Sequence, residues 1–338
     1  MSTRTDGPRK VLPLLAGGIL VICILPLFFI DLTLLSGGRS PPSELSQIAH
    51  VGFFSLLTIL LLLAIRPGSR KGVVLVSATI FLFGVAVELL QHLSGREASL
   101  SDLALNATGI VFGVALVHAS RAPLAASLAT GLVVVMLWQP GLGLWDRWQA
   151  YRQFPVLSDF STRLEHRRWS RGEPVLLLDG RRALQLSLPP APYPGTSLRR
   201  SLGDWRGSDC LVVLLYNPDN EPLKLTLSIR DQAHEQRGGQ YSDRFNHGFD
   251  LPPGRHAVVI GTARIRNAPR ERELDLANLT ELVLFTRQPE KLRRLYVERV
   301  YLSFKGHKYR SNSTMCKFCE QHHQAGETVF AVLPTPPH

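Results

Sequence analysis

Polar and ionisable side chains gather where two long apolar runs of this sequence meet. Between residues 88 and 106 they are Glu88, Gln91, Arg96, Ser99, Asp102 and Asn106. An ionisable group at the end of a membrane helix is unfavourable unless it is paired or hydrated, so such groups usually mark a functional site. His50, at the start of an earlier apolar run, adds an imidazole. These residue types could bind a polar ligand by charge and hydrogen bonds, or they could transfer protons.

Five apolar runs predict five transmembrane helices. The runs cover about 11–30, 51–65, 73–91, 103–118 and 124–140. A spanning helix needs roughly 17–25 residues, so the second and fourth runs require their polar ends. Asp31 follows the first run, where a signal peptide would have a small-residue cleavage site, so we predict a membrane helix there. Gly131 and Pro140 weaken the fifth run.

Helical spacing places the polar residues on shared faces. Glu88 and Gln91 lie three residues apart on the third helix. On the fourth helix, Asp102 and Asn106 share a face with Gly109 and Gly113, and this glycine pair allows a neighbouring helix to approach closely. Since His50 lies at the same end of the second helix, we expect one polar cluster near the outer membrane face.

Each of these residues also has a structural interpretation. Asp102 could serve the N-terminus of a helix, and Asn106 could form a hydrogen bond between helices. Arg96 and Asp102 could form a solvated ion pair that contributes little. Six polar groups are expected to converge from three helices, and this favours a binding or catalytic site over these alternatives. They are His50, Glu88, Gln91, Arg96, Asp102 and Asn106.

Lys and Arg residues in the short loops predict the orientation, because they accumulate on the cytoplasmic side. They precede the first helix and lie between helices two and three and between helices four and five. Residues 1–10 are then a basic cytoplasmic lead, 11–140 a transmembrane domain, and 141–153 an aromatic juxtamembrane linker. With five helices, residues 141–338 lie outside the cytoplasm.

The first part of the chain, about residues 10–120, resembles the VanZ-like membrane proteins, a family named for a glycopeptide-resistance accessory protein. The resemblance rests on Glu88, Gln91, Arg96, Ser99, Asp102, Asn106, Gly109 and Gly113, with His50 and Phe54 earlier in the chain. It implies a small helical membrane domain whose shared polar residues cluster on one side. The family pattern often has lysine three residues before the histidine, where this chain has Gln47.

After residue 154 the pattern is typical of β-strands. Strand-length runs, several of them alternating polar and apolar residues, cover 183–188, 210–216, 223–229, 256–260, 281–285 and 295–302. Turn signals such as Pro252-Pro253-Gly254 separate them. Many short strands with such turns predict an all-β, jelly-roll-like sandwich over 154–304, following the helical transmembrane bundle.

This region, about 155–304, resembles the galactose-binding-like jelly rolls of carbohydrate-binding modules. The resemblance rests on the order Ser158-Asp159-Phe160, Trp169, Asp204 to Gly207, Tyr216-Asn217-Pro218, Asp231, Tyr241 to Asn246, and Leu251 to Gly254. It implies a glycan-binding fold. Aromatic faces stack on sugars, and carboxylates bind hydroxyls or calcium. The candidate contacts are Trp205, Tyr216, Asp231, Tyr241, Asp243 and Arg244. Alternatively, the aromatic residues are core, and Asp243 and Arg244 form a loop salt bridge.

The polar tail 305–338 ends in prolines, and we expect it to be disordered. Cys316, Cys319 and His322 could hold a metal ion, but a lone CxxC is a weak signal. The alternatives are a disulfide or no role at all, and we predict no cofactor. The net charge of +11 suits anionic lipid headgroups or acidic polysaccharide, and no motif supports binding to nucleic acid.

Three functional hypotheses follow. The first is a cell-envelope protein that binds membrane lipid and the headgroup of a lipid-linked or surface glycan through the polar cluster, assisted by the sandwich. The second is a membrane enzyme on the same substrates, with His50 or Glu88 as general base and Arg96 holding a phosphate or carboxylate. Asp102 is the third candidate catalytic residue. The third is a structural adaptor without a ligand.

Overall fold

The computed structural model describes residues 43–93, 99–199, 202–304 and 329–332, together with Gly18. The chain divides into two compact units, Met1–Trp145 and Asp146–His338. In the described residues the first unit is helical, and the second consists mainly of β-strands.

Four long helices account for most of the described part of the first unit. They are α1 (Ser43–Ile65), α2 (Arg70–Leu93), α3 (Leu100–Val117) and α4 (Pro123–Gln153). By length and composition, all four could cross a membrane. They correspond to the second to fifth predicted spans. The first predicted span lies outside the described residues, except for Gly18.

Helix α4 extends beyond the predicted end of the last span. We expected the helix to end near Pro140 and residues 141–153 to form a linker, but α4 is one helix of 31 residues with Pro140 inside it. A proline removes one backbone hydrogen bond. The apolar residues around it still favour a helix, because backbone groups in lipid must be paired internally. The last residues of α4, from Asp146, belong to the second unit.

Two glycines allow α1 and α3 to pack closely. A Cβ atom on Gly109 would lie 2.6 Å from the carbonyl oxygen of Val51, and one on Gly113 would lie 2.7 Å from that of Ser55. Any larger residue would therefore push the helices apart, as expected for small residues at a membrane helix contact. An apolar cluster joins α1, α2 and α3 and consists of Phe53, Phe54, Leu57, Ile80 and Ile110.

The strands of the second unit form two antiparallel sheets. The larger sheet has the order β11 (Val329–Val332), β8 (Gly254–Gly261), β5 (Cys210–Asn217), β10 (Arg293–Ser303), β3 (Arg182–Leu188), β2 (Glu173–Leu176), with β1 (Val156–Ser158) also paired to β10. The smaller sheet has the order β4 (Gly195–Leu198), β9 (Leu279–Phe285), β6 (Leu223–Asp231), β7 (Phe245–Leu251). The helical turns are Glu165–Arg168, α5 (Gln232–Gln236), Tyr241–Asp243 and α6 (Thr262–Arg266).

Alternate residues of the two sheets form one apolar core. Leu225 and Leu227 of β6 are buried in it, as are Leu211, Val213 and Leu215 of β5. This alternation is typical of a sandwich whose sheets each bury one face. The predicted fold class, a helical membrane bundle followed by a β-sandwich, is confirmed. All six predicted strands are present, and the strands that were missed are short or carry few apolar residues.

Residues 329–332 form an edge strand rather than a disordered segment. Strand β11 pairs with β8, with Val329 opposite Val259. The predicted disorder of the tail is therefore wrong for these four residues. The edge of β8 presents backbone groups that a short apolar segment can pair with. Cys316, Cys319 and His322 lie outside the described residues.

Candidate functional site

Three helices bring ionisable side chains together at one end of the helical unit. His50 lies about two turns into α1, Glu88 lies more than one turn before the end of α2, and Asp102 lies in the first turn of α3. Each offers one ligand atom, and these atoms all lie within 4.8 Å of one another. His50 and Glu88 are 2% and 4% exposed, whereas the side chain of Asp102 is 26% exposed. We call these three residues the membrane triad.

Asn106 orients the imidazole of the membrane triad. Its Oδ1 lies 2.8 Å from Nδ1 of His50, and Asn106 is almost fully buried. Because an amide oxygen only accepts hydrogen bonds, Nδ1 carries the ring proton and donates it to Asn106. The other ring nitrogen, Nε2, then faces Asp102, whose Oδ2 is 4.0 Å away. Gln91, also buried, lies three residues after Glu88 on α2.

The other residues predicted for this site are not part of the membrane triad. The side chain of Ser99 caps α3 by accepting a hydrogen bond from the backbone N–H of Ser101. Gly109 and Gly113 contact α1 below the triad rather than a ligand space. Arg96 lies outside the described residues.

Glu44 is a buried acidic residue that the sequence analysis did not select. It is 6% exposed in the first turn of α1. A Cβ atom on Gly143 of α4 would lie 2.8 Å from its side chain. The sequence feature that could have identified Glu44 is a carboxylate beside an apolar run. Acids in a first helical turn are also common for electrostatic reasons.

A groove of about 670 Å³ lies on the outer face of the four-stranded sheet. Its lining residues Glu281 and Phe285 in β9 alternate with core leucines, and Arg230 in β6 alternates with core residue Ile229. The charged and aromatic residues of this arginine groove are Arg171, Arg199, Arg230, Arg244, Arg287, Glu281, Tyr193, Tyr241 and Phe285.

Glu281 neutralises part of the positive charge in the arginine groove. Its carboxylate accepts hydrogen bonds from Arg199 at 2.7 Å and from Arg230 at 2.9 Å. Burial alone would raise the pKa of Glu281. Hydrogen bonds from Arg199 and Ser197 and the charge of Arg230 outweigh burial and hold the pKa below its ordinary value. Glu281 is therefore ionised at neutral pH.

Arg244 contributes a second, less neutralised cation. Its guanidinium lies 5.1 Å from the ring centre of Tyr241. Burial, together with the charge of Arg230, lowers the pKa of Arg244 below its ordinary value. Arg230 and Arg244 both line the groove and are partly exposed there. Both arginines can therefore donate to an anionic ligand, because guanidinium groups bind carboxylate and phosphate with matched geometry.

Trp205 and Asp231, both predicted to contact a glycan, are structural. Trp205 is fully buried, and its indole N–H donates to the carbonyl of Leu202 at 2.7 Å. Asp231 is also fully buried, and Arg272 bridges it to Asp243 at 2.8 and 2.9 Å. The prediction for Trp205 and Asp231 is corrected, since a fully buried side chain cannot stack on a sugar or bind its hydroxyls.

The remaining residues predicted to contact a glycan do not form one site, because they lie at different sheets of the sandwich. Tyr216 lies on the larger sheet, stacked on Tyr296 with 5.5 Å between ring centres, and Arg255 lies over its ring. Only Tyr241 and Arg244 of the six line the arginine groove. The proposed loop salt bridge also differs, because Asp243 pairs with Arg272.

Sequence reasoning missed most of the arginine groove. Arg230 occupies an outward position of β6, and Arg199, Tyr193 and Arg171 lie in or beside β4. The polar positions of the alternating strand β6 were a usable signal for Arg230. The alternation of polar and apolar residues could not show which residues surround Arg230 in the groove, because those residues come from strands that are distant in sequence.

Neither a protein-family model nor a curated protein matches the sequence. Several solved carbohydrate-binding modules and agarases are similar to part of the chain. A family 11 carbohydrate-binding module from Clostridium thermocellum, in complex with a mixed-linked tetrasaccharide, is 15% identical with a TM-score of 0.35, covering 44% of this chain and 94% of the module. An exo-beta-agarase is 14% identical with a TM-score of 0.35, covering 45% of this chain.

A third similar structure is a CBM28 module specific for non-crystalline cellulose, with 13% identity, a TM-score of 0.29, and coverage of 38% of this chain and 77% of the module. The chain spans only 25% of the length of the agarase. Because these TM-scores lie below 0.5, the β-sandwich assignment rests on the strand pairing itself.

Proposed function

We propose that this protein is an integral membrane protein of the cell envelope that binds an acidic glycan in the arginine groove. The composition of that groove carries the proposal: five arginines and one glutamate, with three aromatic rings. Arginines supply hydrogen bonds to carboxylate, phosphate or sulfate groups, and exposed rings such as Tyr193 and Tyr241 supply stacking surfaces for sugar faces.

The membrane domain would hold this site near a membrane surface. The Lys and Arg pattern of the loops supports an extracytoplasmic position for the sandwich, where envelope polymers occur. The motif around Glu88, Gln91 and Asp102 supports VanZ-like membership of the helical domain. In this proposal, His50, Glu88, Gln91, Asp102 and Asn106 bind the headgroup of a lipid-linked glycan at the outer side.

A membrane enzyme acting on such a glycan is the second candidate. The hydrogen bond from Nδ1 of His50 to Asn106 favours it, because it fixes the tautomer in which Nε2, on the side of Asp102, is the basic nitrogen. Glu88 is the other candidate base, and Asp102 would stabilise a protonated His50.

Binding of the full-length protein in detergent to immobilised polysaccharides tests the glycan proposal. We expect salt-sensitive binding to polygalacturonate and much weaker binding to a neutral β-1,3-1,4-glucan. The double substitution Arg230→Gln, Arg244→Gln should lower the affinity for polygalacturonate roughly tenfold or more, because each charge-assisted hydrogen bond is worth about 1.5–3 kcal/mol.

Lys224→Gln is the matched control. Lys224 is an exposed residue of the same strand, β6, and does not line the arginine groove. It removes one positive charge from the sandwich without removing a groove contact. Equal affinity for the neutral glucan, or equal losses in the control and the double variant, would contradict the proposal.

A further inference from the structure

The membrane triad has the composition of a metal site. We propose that His50, Glu88 and Asp102 bind one divalent transition-metal ion, such as Zn²⁺ or Mn²⁺. The sequence analysis predicted no cofactor, and the inference stands independently of glycan binding. It rests on the approach of one imidazole nitrogen and two carboxylate oxygens, within 4.8 Å of one another, from three different helices.

The ligand types fit this class of ion. Imidazole nitrogen and carboxylate oxygen bind zinc at about 2.0–2.2 Å, and the same combination also binds manganese and ferrous iron. Two ligands of a tetrahedral zinc ion are thus about 3.4 Å apart, and two ligands of any such ion are at most about 4.4 Å apart. The observed separation of 4.0 Å between Nε2 of His50 and Oδ2 of Asp102 already lies within that limit. Rotation about the side-chain bonds of Glu88 can supply the remaining approach.

The surroundings of His50 supply a second, independent indication. A histidine that binds a metal through one nitrogen usually donates the other N–H to an oxygen, which fixes the tautomer and orients the ring. His50 has this arrangement, with Nδ1 2.8 Å from Oδ1 of buried Asn106 and with Nε2 on the side of Asp102. Asn106 therefore positions the ligand rather than binding the ion.

Electrostatics favour a cation at the centre of the triad. Metal binding requires deprotonated carboxylates and a neutral imidazole. In that state the triad offers a divalent ion two negative charges and the Nε2 lone pair, and their attraction for the ion is stronger in the largely apolar surroundings of this unit than in water. Three protein ligands also leave coordination positions open for water or for an oxygen of an anionic ligand such as phosphate.

Metal titration of the full-length protein in detergent tests the inference. The protein is purified without a polyhistidine tag, treated with a chelator, and titrated with Zn²⁺ and with Mn²⁺ by calorimetry. The background carries Cys316→Ser and Cys319→Ser, because the CxxC of the tail offers competing thiolates. We expect one ion per chain and a rise in Tm of roughly 5 °C at saturation.

Substitutions in the triad should remove this binding. Glu88→Gln and Asp102→Asn keep the side-chain shape, and each should lower the affinity at least tenfold. Glu44→Gln is the control, since Glu44 is another buried carboxylate of the same unit outside the triad. Absence of binding in the parent protein, or an equal loss in the Glu44→Gln variant, would overturn the inference.

Two further measurements remain decisive if a triad variant fails to fold. Cobalt substitution of the parent protein should give visible absorption bands and an X-ray absorption spectrum with nitrogen and oxygen neighbours. A spectrum of hydrated cobalt alone would overturn the inference. Binding that appears only after Arg96→Gln would also overturn it, because it would show that a guanidinium supplies the cation in the native protein.

Discussion

Arginine residues of the sandwich have different roles that depend on what each guanidinium contacts. Arg168 is 1% exposed and forms an ion pair with Asp146 at 2.8 Å. Arg272 is also paired, and its hydrogen bonds to Asp243 and Asp231 help to lower the pKa of both acids. Arg230 and Arg244 line the arginine groove and are partly exposed there. Of these four arginines, only the last two are therefore suited to an external anion, although all four are the same residue type in the sequence.

We expect the stability of the sandwich to depend on pH, because the pKa of one of its histidines is lowered. Burial, and then the charge of Arg264, lower the pKa of His247 to about 4. In the unfolded chain histidine takes up a proton near pH 6.5. Between these values the unfolded state binds more protons, so the stability that neutral His247 contributes is complete above pH 6.5 and is lost as the pH falls towards 4.

Hydrogen exchange of β7 in the full-length protein measures this effect. Protection of β7 should fall between pH 7 and pH 4.5 after correction for intrinsic exchange rates. His247→Phe should flatten the profile, since His247 already stacks on Phe249 with 5.9 Å between ring centres. Arg264→Gln should flatten it partly, because it removes one cause of the lowered pKa. An unchanged slope in the His247→Phe variant would assign the effect to other groups.

At the scale of elements, glycine spacing sets the distance between α1 and α3. Gly109→Ala should destabilise the helical unit by about 1–3 kcal/mol, because the new Cβ atom would lie 2.6 Å from the Val51 carbonyl oxygen and overpack the contact. The measurement is the midpoint of SDS-induced unfolding in mixed micelles.

Gly131→Ala in α4 is the control for this prediction. No atom lies within 4 Å of a Cβ placed there. The substitution should be neutral or stabilising by up to about 1 kcal/mol, because alanine favours a helix. If both alanine variants shift the midpoint in the same direction and by the same amount, close packing at Gly109 is not what holds the helices together.

At the scale of the whole molecule, the number of spans determines on which side the sandwich lies. Four described helices could span a membrane, and the sequence predicts one more at about 11–30. Five spans with a cytoplasmic N-terminus place the C-terminus outside. Alkaline phosphatase fused after residue 338 should then be active, and green fluorescent protein at the same position should be dark.

A fusion after residue 68 provides the reference for this experiment. That loop is flanked by Arg66, Arg70 and Lys71 and should give the opposite reporter signals. A fluorescent fusion after residue 338 would indicate four or six spans. The arginine groove would then face the cytoplasm, and an envelope glycan could not be its ligand.

The sequence by itself determined the fold class and the position of the polar cluster. Hydrophobic run length and period-2 alternation are local properties, so they predicted helices α1 to α4 and six of the strands. The proximity of His50, Glu88 and Asp102 was also predicted from the sequence. Short connections between membrane helices leave few ways to arrange the helix ends that carry these residues.

Tertiary structure alone decided which polar residues are available to a ligand. Trp205 and Tyr241 look alike as aromatic residues near strands, but the first is fully buried and the second is 58% exposed. The arginine groove joins Arg199 of the chain beside β4 to Arg230 of β6 and Glu281 of β9. Such partners are set by strand order and register, which depend on contacts between segments far apart in sequence, and local patterns carry no information about them.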